Sequence, residues 1–308
     1  MGKGSGFGKV ILFNEHFVVY GIPAIASAID SRTTAVVERI KAKGWLLEDN
    51  RPATLGYKEE KLEQQKDSIE RILQAAGINA EQNPIKIIFG GELVAASGIG
   101  ASAASCVALA RALSDEFKLN LSNEKINEIA YEGEKAYHGT PSGIDNTAAT
   151  YGGLVWFIKG IPNVIELIKL KKPVEIVMGN TGIVADTSKA VAGVKERKEK
   201  EPEKYNKIFK SANELVYEAR KVLKNYDLKK VGELMSENHK LLQAIGVSCK
   251  ELDFLVELAL KHGALGAKLT GTGLGGNMLA LTPGRELQEK IARAIEKEGF
   301  EVVRTRIG

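Results

Sequence analysis

Residues 97–105 of the 308-residue chain read Ser97-Gly98-Ile99-Gly100-Ala101-Ser102-Ala103-Ala104-Ser105. This stretch follows a strand-like apolar run over residues 85–89 and leads into a helical pattern over residues 106–117. Small residues at the start of a helix leave its backbone N–H groups unobstructed, and the helix dipole favours an anion there. Successive N–H groups in such a turn form a concave site for phosphate. An ordinary helix start with small packing residues is the alternative that this stretch alone leaves open.

A second loop carries a carboxylate among residues that fix a turn. It reads His138-Gly139-Thr140-Pro141-Ser142-Gly143-Ile144-Asp145-Asn146 and is followed by Gly152-Gly153. The turn residues are expected to aim Asp145, while Glu134 lies on the helical pattern that ends near His138. One carboxylate on a rigid turn and another upstream on a helix suit proton abstraction beside a metal site. From the pattern alone, Glu134 as a carboxylate on the helix face and His138 as a cap of the helix are the alternatives that stay open.

A third segment is rich in glycine and runs from Lys268 to Asn277. Gly271, Gly273 and Gly276 have the G-x-G-x-x-G spacing, but a strand-like run follows them where a dinucleotide-binding fold requires a helix. The dinucleotide interpretation is therefore excluded. A glycine-rich loop between two short apolar runs instead indicates close approach of the backbone to a ligand.

Length and composition describe a globular protein of two domains. The chain exceeds what one hydrophobic core usually serves, and Lys171-Lys172-Pro173 marks a boundary, which gives predicted domains 1–172 and 173–308. A net charge of +4, with Lys and Glu alternating along helices, argues against nucleic acid as a partner. No stretch approaches 18 uninterrupted apolar residues, so no membrane partner is expected. Two widely spaced cysteines, Cys106 and Cys249, predict a cytoplasmic protein.

The periodicity of apolar residues predicts an α+β fold. Strands are expected over residues 10–13, 35–40, 85–89, 154–157, 174–178 and 301–306, and in a pair that flanks residues 271–276. Helices are expected over residues 58–76, 106–117, 121–137, 188–200, 204–225, 228–245, 250–262 and 285–297. In the C-terminal domain the order of strand, helices, two strands, helix and strand predicts a ferredoxin-like split βαβ arrangement with added helices.

Three glycine-bearing segments in this order resemble the GHMP kinase superfamily, named for galactokinase and the homoserine, mevalonate and phosphomevalonate kinases. They are Gly8 to His16, Gly98 to Ser105 and Lys268 to Gly276. The pair Glu15-His16 and the block from Glu132 to Gly153 are similar to the members that phosphorylate mevalonate. The resemblance covers nearly the whole chain.

Two positions depart from the usual motifs of this superfamily. Asn14 stands where the first motif usually has glycine, and asparagine tolerates a positive φ better than most residues. Ala101 stands where the second motif usually has the first of two serines, whereas Ser102 is kept. One hydroxyl donor is therefore lost from the loop.

The resemblance implies a two-domain, ATP-dependent kinase. The N-terminal domain would be mixed α/β, with a phosphate loop that leaves the sheet and opens a helix, and the C-terminal domain would close the substrate pocket. The implied reaction uses ATP and Mg²⁺ to phosphorylate the primary hydroxyl of mevalonate, giving 5-phosphomevalonate for isoprenoid precursor synthesis. The implied partner is this small molecule, and the oligomeric state, a homodimer included, stays open.

The resemblance also assigns roles to individual residues. Asp145 would act as general base, with Lys9 beside the reacting hydroxyl, while Ser102 and Glu134 would hold Mg²⁺. The ATP phosphates would be bound by Gly98, Ile99, Gly100, Ala101, Ser102, Ala103 and Ser105. The acceptor would be bound by Lys9, Glu15, His16, Asp145, Thr187, Thr270 and Gly271.

Two alternatives compete with this interpretation. A related kinase of another acceptor, such as phosphomevalonate, would need Arg or Lys around the second phosphate, and Lys189, Lys195 and Arg197 leave that open. A non-catalytic sensor that binds ATP and a small molecule would be marked by loss of the base or of the metal ligand. Asp145 and Glu134 are both present.

Overall fold

The structure, a computed structural model, describes residues 1–53, 56–95 and 98–308, so that Ser97 of the predicted phosphate loop lies outside the described residues. Its strands are β1 (Gly2–Phe13), β2 (Ala24–Arg39), β3 (Trp45–Asp49), β4 (Ile85–Gly91), β5 (Leu154–Ile158), β6 (Val164–Ile168), β7 (Val174–Asn180), β8 (Gly266–Thr270), β9 (Asn277–Leu281) and β10 (Glu301–Ile307). Its α-helices are α1 (Tyr57–Glu60), α2 (Leu62–Ala75), α3 (Ala101–Glu116), α4 (Asn123–His138), α5 (Ile144–Tyr151), α6 (Thr187–Lys200), α7 (Pro202–Lys224), α8 (Leu228–Ala244), α9 (Lys250–Lys261) and α10 (Arg285–Lys297). A 3-10 helix spans His16–Tyr20.

Contacts divide the chain into two compact units. The first comprises Met1–Lys9 and Ala28–Gly152, and the second comprises Val10–Ser27 and Gly153–Gly308. Strands β5 and β6 fall in the second unit because Ala24 to Ser27 of β2 pair with Phe157 to Leu154 of β5. The boundary after Lys172 remains a prediction about where the chain divides into independently folding parts.

In the first unit, β3 runs parallel to β4, and β4 runs antiparallel to residues 33–39 of β2. Helices α2, α3 and α4 supply a buried cluster with these strands, in which Ile69, Val107 and Ile129 are almost inaccessible to solvent. The hydroxyl of Ser122 caps α4 by accepting a hydrogen bond from the Lys125 N–H at 3.3 Å. Such capping explains why α4 begins within two residues of the predicted start.

Strand β1 approaches helix α3 closely because alternate residues of the strand are glycine. A Cβ added to Gly4 would come 2.2 Å from the carbonyl oxygen of Ala108, and one added to Gly6 would come 2.2 Å from that of Ala104. The contact moves four residues along the helix for two along the strand, since both steps are about 6 to 7 Å long. The sequence predicted only residues 10–13 of this strand because glycine is depleted in strands.

In the second unit, antiparallel strands lie in the order β10-β7-β9-β8. Along the chain these are the fourth, first, third and second strands of the sheet, so the predicted ferredoxin-like topology is confirmed. Helices α6 to α9 are inserted between the first and second of them, and α10 packs on β7 and β10. The core of this unit includes Val177, Leu269 and Met278.

Several predicted elements differ from the structure for local reasons. The helix predicted over 58–76 is interrupted at Lys61, which lies outside helical geometry with a ψ of 7°. The segment with Asp145 is not a turn: Asp145 lies in the first turn of α5, because Gly143, with a φ of 91°, allows a helix to begin directly after the loop. The described residues contain no helix that is long and apolar enough to cross a membrane.

The contact between β1 and α3 predicts an effect of a single methyl group. Gly4→Ala is expected to lower the free energy of unfolding by about 3 kcal/mol, because the added Cβ meets helix backbone that cannot rotate away. Ser5→Ala is the control, since neighbouring residues of a strand face opposite sides, and it is expected to stay within about 0.5 kcal/mol of the native protein. Urea denaturation measures both, and equal stabilities of the two variants would contradict the packing.

Candidate active site

Lys9 and Asp145 form an ion pair in the first unit. The Lys9 Nζ lies 3.0 Å from an Asp145 carboxylate oxygen, and the side chains are 6% and 31% exposed. Lys9 is on β1, and Asp145 is the second residue of α5. The structure therefore brings together two predicted catalytic residues and leaves the carboxylate accessible.

The same lysine is fixed against residues 98–105, the predicted phosphate loop. The Lys9 N–H donates to the carbonyl of Ile99 at 2.8 Å. Gly100 has a φ of 77°, and a Cβ there would come 2.7 Å from the Cγ of Lys9, so only glycine fits beneath the lysine stem. Gly100 is also the N-cap of the 16-residue helix α3 and has no side chain to cap it. The arrangement suits an anion at the helix N-terminus.

Glu134 is a buried carboxyl group beside Ser102. It is 1% exposed on α4, and the Ser102 side chain is hydrogen-bonded to it. Burial raises the pKa of Glu134 to about 8 and the Asp145 carboxylate acts in the same direction, whereas Ser102 and Lys9 oppose the shift. A cation would favour the ionised form.

The donor set of Glu134 and Ser102 fits a magnesium ion. Magnesium prefers oxygen ligands and commonly takes only one or two from protein side chains, with the rest from phosphates and water. Within the described ranges, no group of three or more His, Cys, Asp or Glu side chains could hold a metal. A magnesium ion at Glu134 would therefore depend on nucleotide phosphates for part of its coordination.

The other hydroxyl predicted to contact ATP is already engaged. The Ser105 Oγ donates to the carbonyl of Ser102 at 2.8 Å, and Ser105 is 3% exposed. Ala101 and Ala103 are buried in the first turn of α3. ATP contacts of the loop residues, Gly98 and Ile99 included, remain predictions. The backbone N–H groups of the loop are the donors suited to phosphate oxygens.

His16 in the second unit is held in one tautomer. Its Nε2 lies 2.6 Å from the carbonyl oxygen of Thr272, and because a carbonyl only accepts, Nε2 carries the hydrogen. Burial lowers the pKa of His16, aided by Arg197 and Lys268 and opposed by the Thr272 bond. The ring is thus neutral, and its buried Nδ1, which has no partner among the described residues, is a hydrogen-bond acceptor.

Thr272 also joins another predicted site residue to the glycine loop. The hydroxyls of Thr187 and Thr272 are 2.8 Å apart. Thr187 is the first residue of α6, so the loop is tied both to this helix and to His16. Sequence reasoning missed Thr272, because nothing in its neighbourhood distinguishes it from the other small residues of the loop.

Glu15 is paired with a buried lysine that sequence reasoning also missed. The Nζ of Lys268 donates to a carboxylate oxygen of Glu15 and to the carbonyl of Leu269, the latter at 2.6 Å. Both charged side chains are at most 1% exposed. Lys268 lies in the wholly buried strand β8, and a charge within an apolar strand is the signal that should have indicated a partner. A contact between Glu15 and the molecule that receives the phosphate remains a prediction.

Thr270 and Asn14 hold the end of β1 in the second unit. The Thr270 hydroxyl accepts from the Ile11 N–H at 3.0 Å and donates to the Ile11 carbonyl at 3.1 Å. Asn14, in place of the family's glycine, has a φ of 69°. Its side-chain oxygen accepts from the amide of Asn238 at 3.0 Å. Gly271, the next residue of the loop, has a φ of 85°. Contacts of Thr270 and Gly271 with the molecule that receives the phosphate remain predictions.

His239 supports the strand that carries Lys268. Its Nδ1 accepts from the Leu269 N–H at 3.3 Å, and its Nε2 lies 3.1 Å from an oxygen of Asp253, to which it donates. Burial lowers the pKa of His239 to about 4, with Lys268 acting the same way and Asp253 opposing. The imidazole is thus a neutral structural link.

Comparison with known proteins gives consistent similarities over nearly the whole chain. Residues 65–153 match the family described as GHMP kinases N terminal domain, and residues 219–301 match GHMP kinases C terminal. The chain is 36% identical to a mevalonate kinase of Pyrococcus abyssi over 97% of this chain and 93% of that protein. It is 29% identical to a mevalonate kinase of Arabidopsis thaliana over 99% and 97%.

Solved structures give the same result. A crystal structure of L. major mevalonate kinase in complex with R-mevalonate has a TM-score of 0.93 and 39% identity, covering 100% of this chain and 96% of that one. A structure of Methanococcus jannaschii mevalonate kinase has a TM-score of 0.83 and 25% identity, covering 99% and 98%.

The neutral His239 predicts how stability changes with pH. The unfolded chain takes up this proton below about pH 6.5 and the folded protein only near pH 4, so the free energy of unfolding falls as the pH drops through this window. At pH 5 the loss from His239 is about 2 kcal/mol. Urea denaturation at pH 7 and pH 5 should show a smaller difference for His239→Gln than for the native protein. The same pH dependence of stability in His239→Gln and in the native protein would contradict a neutral His239 in the folded state.

Proposed function

The chain belongs to the GHMP kinase family, and from that membership we propose that it transfers the γ-phosphate of ATP to the primary hydroxyl of mevalonate, giving 5-phosphomevalonate and ADP. The single observation that carries the chemistry is the Lys9–Asp145 ion pair, whose lysine packs on Gly100 at the N-terminus of α3. It joins a proton acceptor to a loop suited to phosphate.

Proton removal is assigned to Asp145. Phosphoryl transfer requires charge neutralisation, positioning and an acceptor for the hydroxyl proton. Asp145 is accessible and held at 3.0 Å by the Lys9 ammonium, which would also stabilise negative charge that develops on the hydroxyl oxygen. The resulting carboxylic acid would lose its proton to solvent after product release.

The phosphate groups are assigned to the helix N-terminus. The backbone N–H groups at the start of α3 would bind phosphate oxygens, which Gly98 and Gly100 leave unobstructed. Ser102 and Glu134 would hold Mg²⁺, which when bound neutralises charge on the transferring phosphoryl group. Glu134 would be ionised only in that state, because burial favours its neutral form.

Recognition of the acceptor is assigned to Glu15, His16, Thr187, Thr270 and Gly271. The neutral His16 offers an acceptor nitrogen, which suits a hydroxyl of a ligand better than a carboxylate. The L. major relative with R-mevalonate bound supports mevalonate as the acceptor. A cytoplasmic location belongs to the proposal, supported by the free cysteines Cys106 and Cys249, and a homodimer remains a prediction.

The alternative acceptor phosphomevalonate is weakened by the position of its candidate ligands. Arg197 donates from Nη2 to the carbonyl of Ile245 at 2.8 Å and from Nε to the Tyr205 hydroxyl at 3.2 Å. Lys189 and Lys195 have side chains that are 86% and 72% exposed. An engaged arginine and two solvated lysines do not form a phosphate-binding cluster.

The reaction is tested by ADP release with Mg²⁺-ATP and mevalonate, phosphomevalonate, homoserine or galactose. Turnover is expected with mevalonate alone. Asp145→Asn tests the base: it is expected to lower kcat for mevalonate by about 10²- to 10⁴-fold, the usual contribution of a positioned base. Turnover with another acceptor would overturn the substrate assignment. ATP binding without turnover of any acceptor would instead favour the sensor.

The metal assignment is tested by Glu134→Gln. The neutral amide cannot supply a carboxylate ligand, so the Mg²⁺ concentration for half-maximal activity is expected to rise about tenfold or more. Glu132→Gln is the matched control, because that carboxylate is exposed and paired with Lys135 on the same helix. An unchanged Mg²⁺ titration of Glu134→Gln would exclude it as a ligand.

A further inference from the structure

Helix α4 presents a row of polar side chains toward the segment that carries Asp145. Positions spaced alternately by three and four residues lie on one face of a helix. The row consists of Glu124, Asn127, Tyr131, Glu134 and His138. Glu134 is the proposed metal ligand, whereas the proposed function gives Asn127 no role.

Asn127 binds the two residues that follow Asp145. The Asn146 side-chain amide donates to the Oδ1 of Asn127 at 2.7 Å and to its carbonyl at 3.2 Å. The Asn127 amide donates in turn to the Thr147 hydroxyl at 3.2 Å, and this hydroxyl donates to the Gly143 carbonyl at 2.6 Å. Asn146 and Thr147 are 2% and 0% exposed and Asn127 is partly buried, so these bonds are shielded from water on the α5 side.

The segment needs such support because α5 is short and begins without a side-chain cap. Helices of fewer than about 12 residues are marginal on their own, and α5 spans only Ile144–Tyr151. Its N-cap is Gly143, which supplies no side-chain cap. The position of α5 must therefore come from packing and from side-chain bonds to its neighbours.

The other members of the row hold the segment less firmly. The Tyr131 hydroxyl donates to the carbonyl of Pro141 at 3.3 Å, within the preceding loop. The Tyr151 hydroxyl donates to Glu124 at 3.5 Å, at the far end of α5. Asn127 is thus the member of this row that bonds the first turn of α5, where Asp145 lies.

We propose that Asn127 is a positioning residue for the phosphoryl-transfer reaction, fixing the first turn of α5 on α4 through Asn146 and Thr147. Because Glu134 lies seven residues further along the same helix, the contact sets the separation between the proposed base and the proposed metal ligand. Asn127 acts through Asp145 and does not itself touch the substrate. The inference rests on the proposed function, in which Asp145 is the base.

Asn127→Ala tests this role. It is expected to lower kcat by about 10- to 100-fold, since small misplacements of a reacting group have effects of this size. The KM for ATP is expected to change by less than about threefold, because the phosphate loop is not touched. In the Asp145→Asn background the same substitution is expected to cause no further loss, because a residue that acts through Asp145 has nothing left to position.

Two further variants separate positioning from general destabilisation. Glu128→Ala is the matched control on α4, since its exposed carboxylate accepts from the Lys125 Nζ at 2.9 Å on the same helix, and its activity is expected to equal that of the native protein. Asn127→Asp keeps the acceptor for the Asn146 amide but loses the donor to the Thr147 hydroxyl, so its kcat is expected to fall clearly less than that of Asn127→Ala. It also serves if Asn127→Ala does not fold, as judged by urea denaturation.

Each result bears on the proposal. An unchanged kcat for folded Asn127→Ala, or a further equal loss in the Asp145→Asn background, would overturn it. A loss for Asn127→Asp as large as for alanine would overturn the contact with Asn146. Failure of the proposed function is a separate result, because the native protein would then not turn over mevalonate. In that case the Asn127→Ala, Asp145→Asn and double variants are compared with the substrate that the native protein does phosphorylate.

Discussion

The close approach of strand β1 to helix α3 is the constraint on which the proposed phosphate-binding part of the site depends. Glycine at Gly4 and Gly6 lets the strand backbone lie against the helix, and Lys9 continues the same strand onto Gly100 at the helix N-terminus. Glycine in a strand costs about 0.5 to 1 kcal/mol in conformational entropy relative to alanine. That cost is offset by burial of the small side chains of α3. The close packing also places Lys9 beside the predicted phosphate loop.

Two carboxyl groups of the same unit differ because of burial and not because of residue type. Glu134 is almost inaccessible and its pKa is raised to about 8, whereas Asp145 keeps about a third of its side chain exposed beside Lys9. Neighbouring acids whose surroundings separate their behaviour can take different roles, one accepting a proton and one binding a cation.

Much of the fold could be predicted because long amphipathic patterns dominate it. The helix α10 has both predicted ends, and the ferredoxin-like order of the second unit follows from the sequence of elements. The first half of β1 could not be predicted, since glycines that serve tertiary packing look like a loop locally. The sequence predicts a turn where α5 begins for a similar reason, because Pro141 and Gly143 are typical of loops and the helix after them depends on packing against α4.

The site was predictable where a motif names the residue and not where a distant partner defines its role. Lys9 and Asp145 belong to motifs, but their pairing joins residues far apart in the chain, and no local pattern contains it. Lys268 and Thr272 lie within a recognised glycine-rich segment, yet their importance comes from Glu15 and His16.

The turn after β1 then explains why the second unit retains a buried ion pair. Such a pair contributes little net stability, since desolvation offsets most of the attraction, so its value lies in placing its members. Asn14 is bonded to Asn238 on α8, Glu15 to Lys268 on β8, and His16 to Thr272 in the glycine loop. Each consecutive side chain is thus fixed by a different element. If a ligand binds this turn, the protein loses little conformational entropy, because folding has already ordered these three side chains.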